Sequence, residues 1–311
     1  MQTLDLFFNI DKRLDNTLQS FRTEGLPHSL LILGQKGTGK NTLGLLLSQM
    51  QLCTAELNNR PCGTCSNCIR VAQHTHPAFL FAGEDRQANS IKIDDIRSIV
   101  ERLSIYNIEG DKRAVLLIDA DRMTVQAQNA LLKSLEEPDK QTYFILTANN
   151  KQSLLPTVLS RCTQLNMPLW SEERIYDYLI KSNIDNAKKI AALSEGSIGR
   201  ALRYSSDDNF HKILAMVDET IAEADKISAI PALSAKWKSL KDDGELIISL
   251  LENRCTQQIY STIDTQKILH LNKMLDSLMQ ARKLLKSNVS WQAIADYLLF
   301  HILEDLNLCH Q

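Results

Sequence analysis

The hydrophobic positions of this chain change their period partway along it. In the first half, short unbroken apolar runs alternate with stretches of helical spacing. Ser29–Leu33 (SLLIL), 77–82 (PAFLFA), 114–118 (AVLLI) and 143–147 (YFILT) are the runs. They are too short for buried helices and lack the alternation of half-exposed strands, so they predict buried strands. Between them, Lys40–Leu52, 91–103 and 124–135 carry apolar residues at helical spacing. In the second of these, Ile93, Ile96, Ile99, Val100 and Leu103 fall on one face. Strands apolar on both faces and separated by helices predict a parallel sheet covered on both sides.

After Pro168 the strand pattern stops. Ser171 with Glu172 and Glu173 opens a helix, and Ala187–Leu193 predicts another, closed by Glu195 and Gly196. A polar stretch from Ser205 to Asn209 (SSDDN) predicts a second boundary. Beyond it helices dominate. Ile268, Leu271, Leu275, Leu278 and Leu285 recur at steps of three, four and seven, and Ser290 caps a last amphipathic helix over 291–306. The chain shows no internal repeat. Three units are expected: an α/β domain over 1–168, a small helical domain over 169–206 and an all-helical domain over 207–311.

The 311 residues carry 35 Lys and Arg against 37 Asp and Glu, a net charge of −2. That balance excludes a protein that coats nucleic acid by charge alone. The N-terminus lacks a basic segment followed by an apolar run, and no stretch is apolar enough to span a bilayer, so a cytoplasmic chain with no membrane partner is expected. Seven cysteines are an odd number, and four of them crowd into residues 53–68, which argues against a secreted disulfide framework.

Those four, Cys53, Cys62, Cys65 and Cys68, form C-x8-C-x2-C-x2-C. Thiolates two residues apart in a turn can converge on one centre, and four of them close a tetrahedral structural zinc site with no open position for catalysis. An iron–sulfur cluster is the alternative the spacing leaves open. His74 and His76 are not needed as ligands and are expected at the surface. Cys162, Cys255 and Cys309 are expected to be packing or surface residues.

Gly34-Gln35-Lys36-Gly37-Thr38-Gly39-Lys40 follows the first strand and opens a helix. In that context Gly34, Gly37 and Gly39 let backbone N–H groups and a helix N-terminus approach a polyphosphate, and Lys40 supplies the point charge on ATP or ADP. The residue after the lysine should carry a hydroxyl for Mg²⁺. Here it is Asn41, with Thr42 one place late and turned by about 100° around the helix. The loop is built for phosphate and badly built for magnesium.

Taken together, several segments resemble bacterial DNA polymerase III clamp-loader subunits of the AAA+ class, and among them the delta-prime type. They are Leu26-Pro27-His28-Ser29-Leu30-Leu31, the phosphate loop, the cysteine insert, Asp121-Arg122-Met123, Asn129 to Pro138 (NALLKSLEEP), Leu159-Ser160-Arg161-Cys162 and Gly196 to Leu202 (GSIGRAL). The resemblance implies a parallel five-stranded sheet with helices on both faces and a zinc-binding insert, a small helical lid and an all-α collar that joins other subunits. It implies gamma- or tau-like ATPases and a delta-like subunit as partners. A sliding clamp and primed DNA would be met within the assembly, a part of a DNA-directed DNA polymerase holoenzyme.

Hydrolysing relatives end the third strand in Asp-Glu, the Asp for Mg²⁺ and the Glu for catalysis. Matching by the strand puts Asp119 on the Asp and Ala120 on the Glu; matching from Asn129 puts Ile118 and Asp119 there instead. Either way one acid is missing. With Asn41, this implies a chain that does not hydrolyse ATP efficiently. Arg161 would then act in trans, reaching the γ-phosphate held by a neighbour. Asn149 takes the place of a first sensor, and Arg200 stands one position after that of a second. Two other readings fit the same residues: a motor-type ATPase with Lys40, Asp119 and Thr42 active, and a zinc module that binds nucleic acid through Cys53–Cys68. Glu136 and Glu137 are expected as solvated carboxylates, and Arg282, Lys283 and Lys286 as an exposed helix face.

Overall fold

Five strands form one sheet in the order β2-β3-β4-β1-β5, every neighbour parallel. They are β1 (Ser29–Leu33), β2 (Phe79–Ala82), β3 (Arg113–Leu117), β4 (Thr142–Ala148) and β5 (Thr163–Asn166). The computed structural model describes residues 3–83, 90–105, 112–136, 141–223, 230–240, 243–287 and 289–307. By its internal contacts the chain divides into two compact units. One comprises Met1–Tyr178 with Glu195–Arg200, the other Leu179–Ser194 with Ala201–Gln311.

In the first unit, helices α1 (Lys12–Glu24), α2 (Lys40–Leu52), α3 (Ser66–Ala72), α4 (Ile93–Ile105), α5 (Val125–Glu136) and the single turn α6 (Pro156–Leu159) surround the sheet. The two-residue period of the strands sorts their side chains between two faces. Leu31, Leu33, Val115, Leu117, Phe144 and Leu146 join Ile96, Ile99, Leu131 and Leu135 of α4 and α5 in one buried cluster. The alternate residues Leu116, Ile145 and Thr147 meet α2 at Gly44, where a Cβ would stand 2.8 Å from Leu116 Cδ1. Helices therefore cover both faces, as the apolar runs predict, and the glycine lets α2 lie close on the sheet.

The differences from expectation are local and physical. The second strand begins at Phe79, because Pro77 has no N–H to give a ladder. Ile91 is not helical: it forms an isolated parallel bridge with Met123, and α4 starts two residues later. β5 (TQLN) is an edge strand with only Leu165 buried, so it carries no apolar run.

Helices α7 (Glu172–Lys181), α8 (Ala187–Leu193) and α9 (Ile198–Ser206) follow. After them come α10 (Asp208–Glu223), α11 (Ile230–Ser239), α12 (Gly244–Ser261), α13 (Thr265–Lys286) and α14 (Trp291–Asn307). The polar stretch 205–209 breaks helix only at Asp207, whose carboxylate accepts from the Asn209 N–H at 2.9 Å. The core of the second unit holds two stacked indoles. Trp237 Nε1 donates to Thr220 Oγ1 at 3.0 Å, and Trp291 Nε1 donates to the Trp237 carbonyl at 2.8 Å. Leu271, Met274, Leu278 and Ala281 form the buried stripe of α13. Among the described residues no helix is long and apolar enough to cross a membrane.

Gly44→Val should overpack the α2–sheet contact and destabilise the protein by about 1–3 kcal/mol. A lowered denaturant midpoint with unchanged slope is the expected result.

Candidate functional site

The phosphate loop joins β1 to α2. The Gly34 N–H donates to the Ala148 carbonyl at 3.2 Å, which ties the loop to the end of β4. Gly37 and Gly39 have φ of 86° and 93°, left-handed values that other residues adopt only under strain. Lys40 opens α2 and is only 3% exposed. Its Nζ donates to Asn149 Oδ1 at 2.6 Å and to the Gln35 carbonyl at 3.4 Å. Burial lowers its pKa, and the nearby Asp119 and Asp121 carboxylates oppose that shift.

The expected nucleotide residues converge here. Asn149 Nδ2 donates to Asp119 Oδ1 at 3.2 Å, so Asn149 bridges the lysine and the acid. Asp119 lies beyond the end of β3 with φ of 52°, and its N–H donates to Thr147 Oγ1 at 3.0 Å. That hydroxyl in turn donates to Asn41 Oδ1 at 2.7 Å. Asn41 is thus turned toward β4 and engaged there. Thr42, one place on, is half-buried on α2.

A second segment of the same unit closes over the loop. The Gly199 N–H donates to the Gly37 carbonyl at 2.8 Å, and Ser197 Oγ donates to the Lys36 carbonyl at 3.3 Å. A Cβ on Gly37 would lie 2.1 Å from Ser197 Oγ. Trp170 Nε1 also donates to the Thr38 carbonyl at 3.0 Å. Arg200 pairs with Glu195 at 2.5 Å.

Arg161 follows α6, away from the phosphate loop network just described. Its guanidinium pairs with Glu136 at the end of α5, and Nη1 donates to the Thr157 carbonyl at 2.8 Å and to Ser160 Oγ at 3.3 Å. Glu136 is therefore an ion-pair partner and not simply a solvated carboxylate. Arg282 also departs from expectation: it donates to Glu252 at 2.7 Å and to Ser249 Oγ at 3.0 Å, pinning α13 to α12. Lys283 is exposed, as expected. Glu137, Cys309 and the Lys286 side chain lie outside the described residues.

Cys53 follows α2, Cys62 lies in the loop, and Cys65 and Cys68 begin α3. Their four sulfurs lie within 4.8 Å of one another and could hold a metal ion. Successive backbone N–H groups point at them: those of Cys62, Cys65 and Cys68 donate to the sulfurs of Cys53, Cys62 and Cys65, each at 3.4 Å. Cys53 and Cys65 sulfurs stand 3.9 Å apart, near the tetrahedral edge of about 3.8 Å that metal–sulfur bonds of about 2.3 Å require, and far from a disulfide. Burial raises the Cys53 and Cys68 thiols. At Cys65 burial acts in the same sense, but hydrogen bonds from Thr54 and from the Cys68 N–H outweigh it and bring the thiol down to about 6. Buried Cys162 and Cys255 are packing residues. His74 and His76 are half-buried rather than surface residues. The His74 ring lies 4.4 Å from that of Phe81, and His76 Nδ1 accepts from the Ala78 N–H at 3.1 Å.

The sequence reading overlooked Gln128. It is 1% exposed on the face of α5 shared with Leu131 and Leu135. Its Nε2 donates to the Met123 and Ser153 carbonyls at 3.2 and 3.0 Å, and its Oε1 accepts from the Leu155 N–H at 2.7 Å. An amide on an apolar stripe was the available signal, since a buried polar side chain must find partners. Gln128 fixes the loop that leads into α6 and Arg161.

Elemental analysis should find one tightly held metal ion per purified chain, and Cys65→Ser should bring that content well below one, because three thiolates leave the tetrahedron open.

A family model for the DNA polymerase III delta subunit matches residues 10–170, just over half of the chain. The delta' subunit of Bacillus subtilis is 34% identical over 207 residues, 66% of this chain and 61% of that protein. The Escherichia coli delta' subunit is 32% identical over 216 residues, 68% of this chain and 62% of its own length. The E. coli tau subunit is 30% identical over 225 residues, 72% of this chain but 34% of tau. This chain thus spans about three fifths of these two delta' relatives. Among solved structures, a DNA polymerase III gamma-subunit-related protein from Thermotoga maritima shares the fold. Its TM-score is 0.50 at 19% identity, over 93% of this chain and 98% of that one. With its five-stranded parallel sheet and four-cysteine insert, the chain belongs to the DNA polymerase III delta-subunit family, of delta-prime type.

Proposed function

We propose that this chain acts as a delta-prime-type subunit of a DNA polymerase III clamp loader, in the cytoplasm, helping to place a sliding clamp on primed DNA. Its neighbours in the assembly would be gamma- or tau-like ATPases and a delta-like subunit. Within this reading, residues 1–168 form the AAA+ domain, 169–206 the lid and 207–311 the collar that joins the other subunits. The near-zero net charge suits a subunit that shares DNA contact with partners, because phosphate affinity grows with clustered cations.

One observation carries the assignment of a non-hydrolysing subunit: Asn41 stands where a magnesium hydroxyl belongs and is engaged by Thr147 at 2.7 Å. Lys40 meanwhile has Asn149 as its acceptor, and one of the two strand-end acids is missing. Each defect weakens the same step, the metal-assisted neutralisation of charge on the transferred phosphate. The loop keeps the means to hold phosphate, through its glycines and Lys40. The motor-type alternative needs Thr42 to replace a hydroxyl from one residue further along the helix.

Arg161 is assigned the trans role, reaching the γ-phosphate bound by a neighbouring subunit. A trans arginine contributes about 10³–10⁵ in rate at the site it completes. For the insert, zinc fits the donor set: four thiolates without a carboxylate or an open position suit a closed structural Zn²⁺. In that role the metal ties the loop after α2 to α3 and takes no part in hydrolysis.

Three outcomes test this reading. The purified chain should show no ATP turnover above background with Mg²⁺, and clear turnover would support the motor-type alternative. Arg161→Ala should leave assembly intact and remove the turnover of one site from the DNA-stimulated rate of the reconstituted loader. The metal recovered from the cysteine insert should be zinc, with no visible absorption of an iron–sulfur cluster.

A further inference from the structure

The pairing of Arg161 raises a difficulty for any trans role. A guanidinium that stabilises a phosphate in another subunit must offer its N–H fork outward. Here Nη2 faces Glu136 and Nη1 faces Thr157 and Ser160, and the side chain is only 30% exposed. Its Nε is buried without an acceptor. The arginine is held against its own subunit in a pose that leaves one donor unmet.

Glu136 lies on the last described turn of α5, and about half of its side chain is exposed. Its counter-charge comes from Arg161. The pair thus joins a partly exposed carboxylate to a guanidinium with an unused N–H. A phosphate oxyanion offers the arginine the same bidentate geometry with more charge, so it competes directly for the fork that Glu136 occupies.

We propose that Glu136 is a positioning residue that latches Arg161 against its own subunit and releases it only when a neighbour's phosphate replaces the carboxylate. This rests on the trans role assigned to Arg161. Because the pair is partly exposed, the latch is shallow, and removing it changes the population of free Arg161 by about two- to fivefold. That is small enough for a bound nucleotide to overcome. It is large enough to lower turnover when the neighbouring site is poorly formed.

The test has two arms. On the isolated chain, Arg161 is labelled with phenylglyoxal and the labelled peptide is followed by mass spectrometry. Glu136→Gln should raise the labelling rate about two- to fivefold, and Glu136→Asp, which keeps the charge, should stay nearer the parent chain. In the reconstituted assembly, Glu136→Gln should raise ATP turnover without DNA by a similar factor, and the double variant with Arg161→Ala should match Arg161→Ala alone. Equal labelling of parent and Glu136→Gln chains overturns the latch. So does turnover that falls with Arg161→Ala but ignores Glu136→Gln, and in that case the trans role stands. Turnover indifferent to Arg161→Ala overturns the trans role itself.

Discussion

Lys40 carries a charge to a place where only 3% of the residue reaches solvent, and such a charge persists only where acceptors surround it. The surrounding groups come from three separate strand ends. The Gln35 carbonyl past β1 and Asn149 past β4 accept from the ammonium, and Asp119 past β3 accepts from Asn149 and supplies a nearby negative charge. A parallel sheet puts the carboxyl ends of its strands along one edge, so residues more than a hundred positions apart in sequence meet there. The order of β3, β4 and β1 as immediate neighbours makes this network reachable by short side chains. The closeness of α2 to the sheet, permitted by Gly44, completes the arrangement.

Asparagine side chains at 41 and 149 satisfy the hydroxyl of Thr147 and the ammonium of Lys40. Amides neutralise nothing, but they donate and accept, so they hold the loop in shape without a metal. In this arrangement the loop is held rigidly to the ends of β1, β3 and β4. Rigidity is what the proposed presentation of Arg161 to a neighbour would require. Gln128 contributes in the same sense, bonding the start of α5 to the loop that precedes α6.

The cysteine insert follows a similar logic on a smaller scale. The loop between α2 and α3 contains few apolar residues, and Leu57 within it is exposed. So short a segment cannot bury enough surface to hold itself together. Four sulfurs converging within 4.8 Å, each N–H···S contact at 3.4 Å, give a metal the means to do so instead.

Much of this was legible along the chain. Buried strands announce themselves because both faces need apolar side chains, and the cysteine spacing and glycine loop carry their chemistry locally. The edge strand β5 was not legible as an apolar run, since three of its four residues face solvent. The helical spacing also took in Ile91, which instead bridges Met123. Sequence alone thus determined the fold class and the candidate metal ligands, because those depend on residue type and short spacing. Only the tertiary structure decided the partners of Lys40, Arg161, Arg282 and Gln128. A charged or amide side chain takes whichever acceptor the packing brings within about 3 Å, and no local pattern in the chain encodes which distant element that will be.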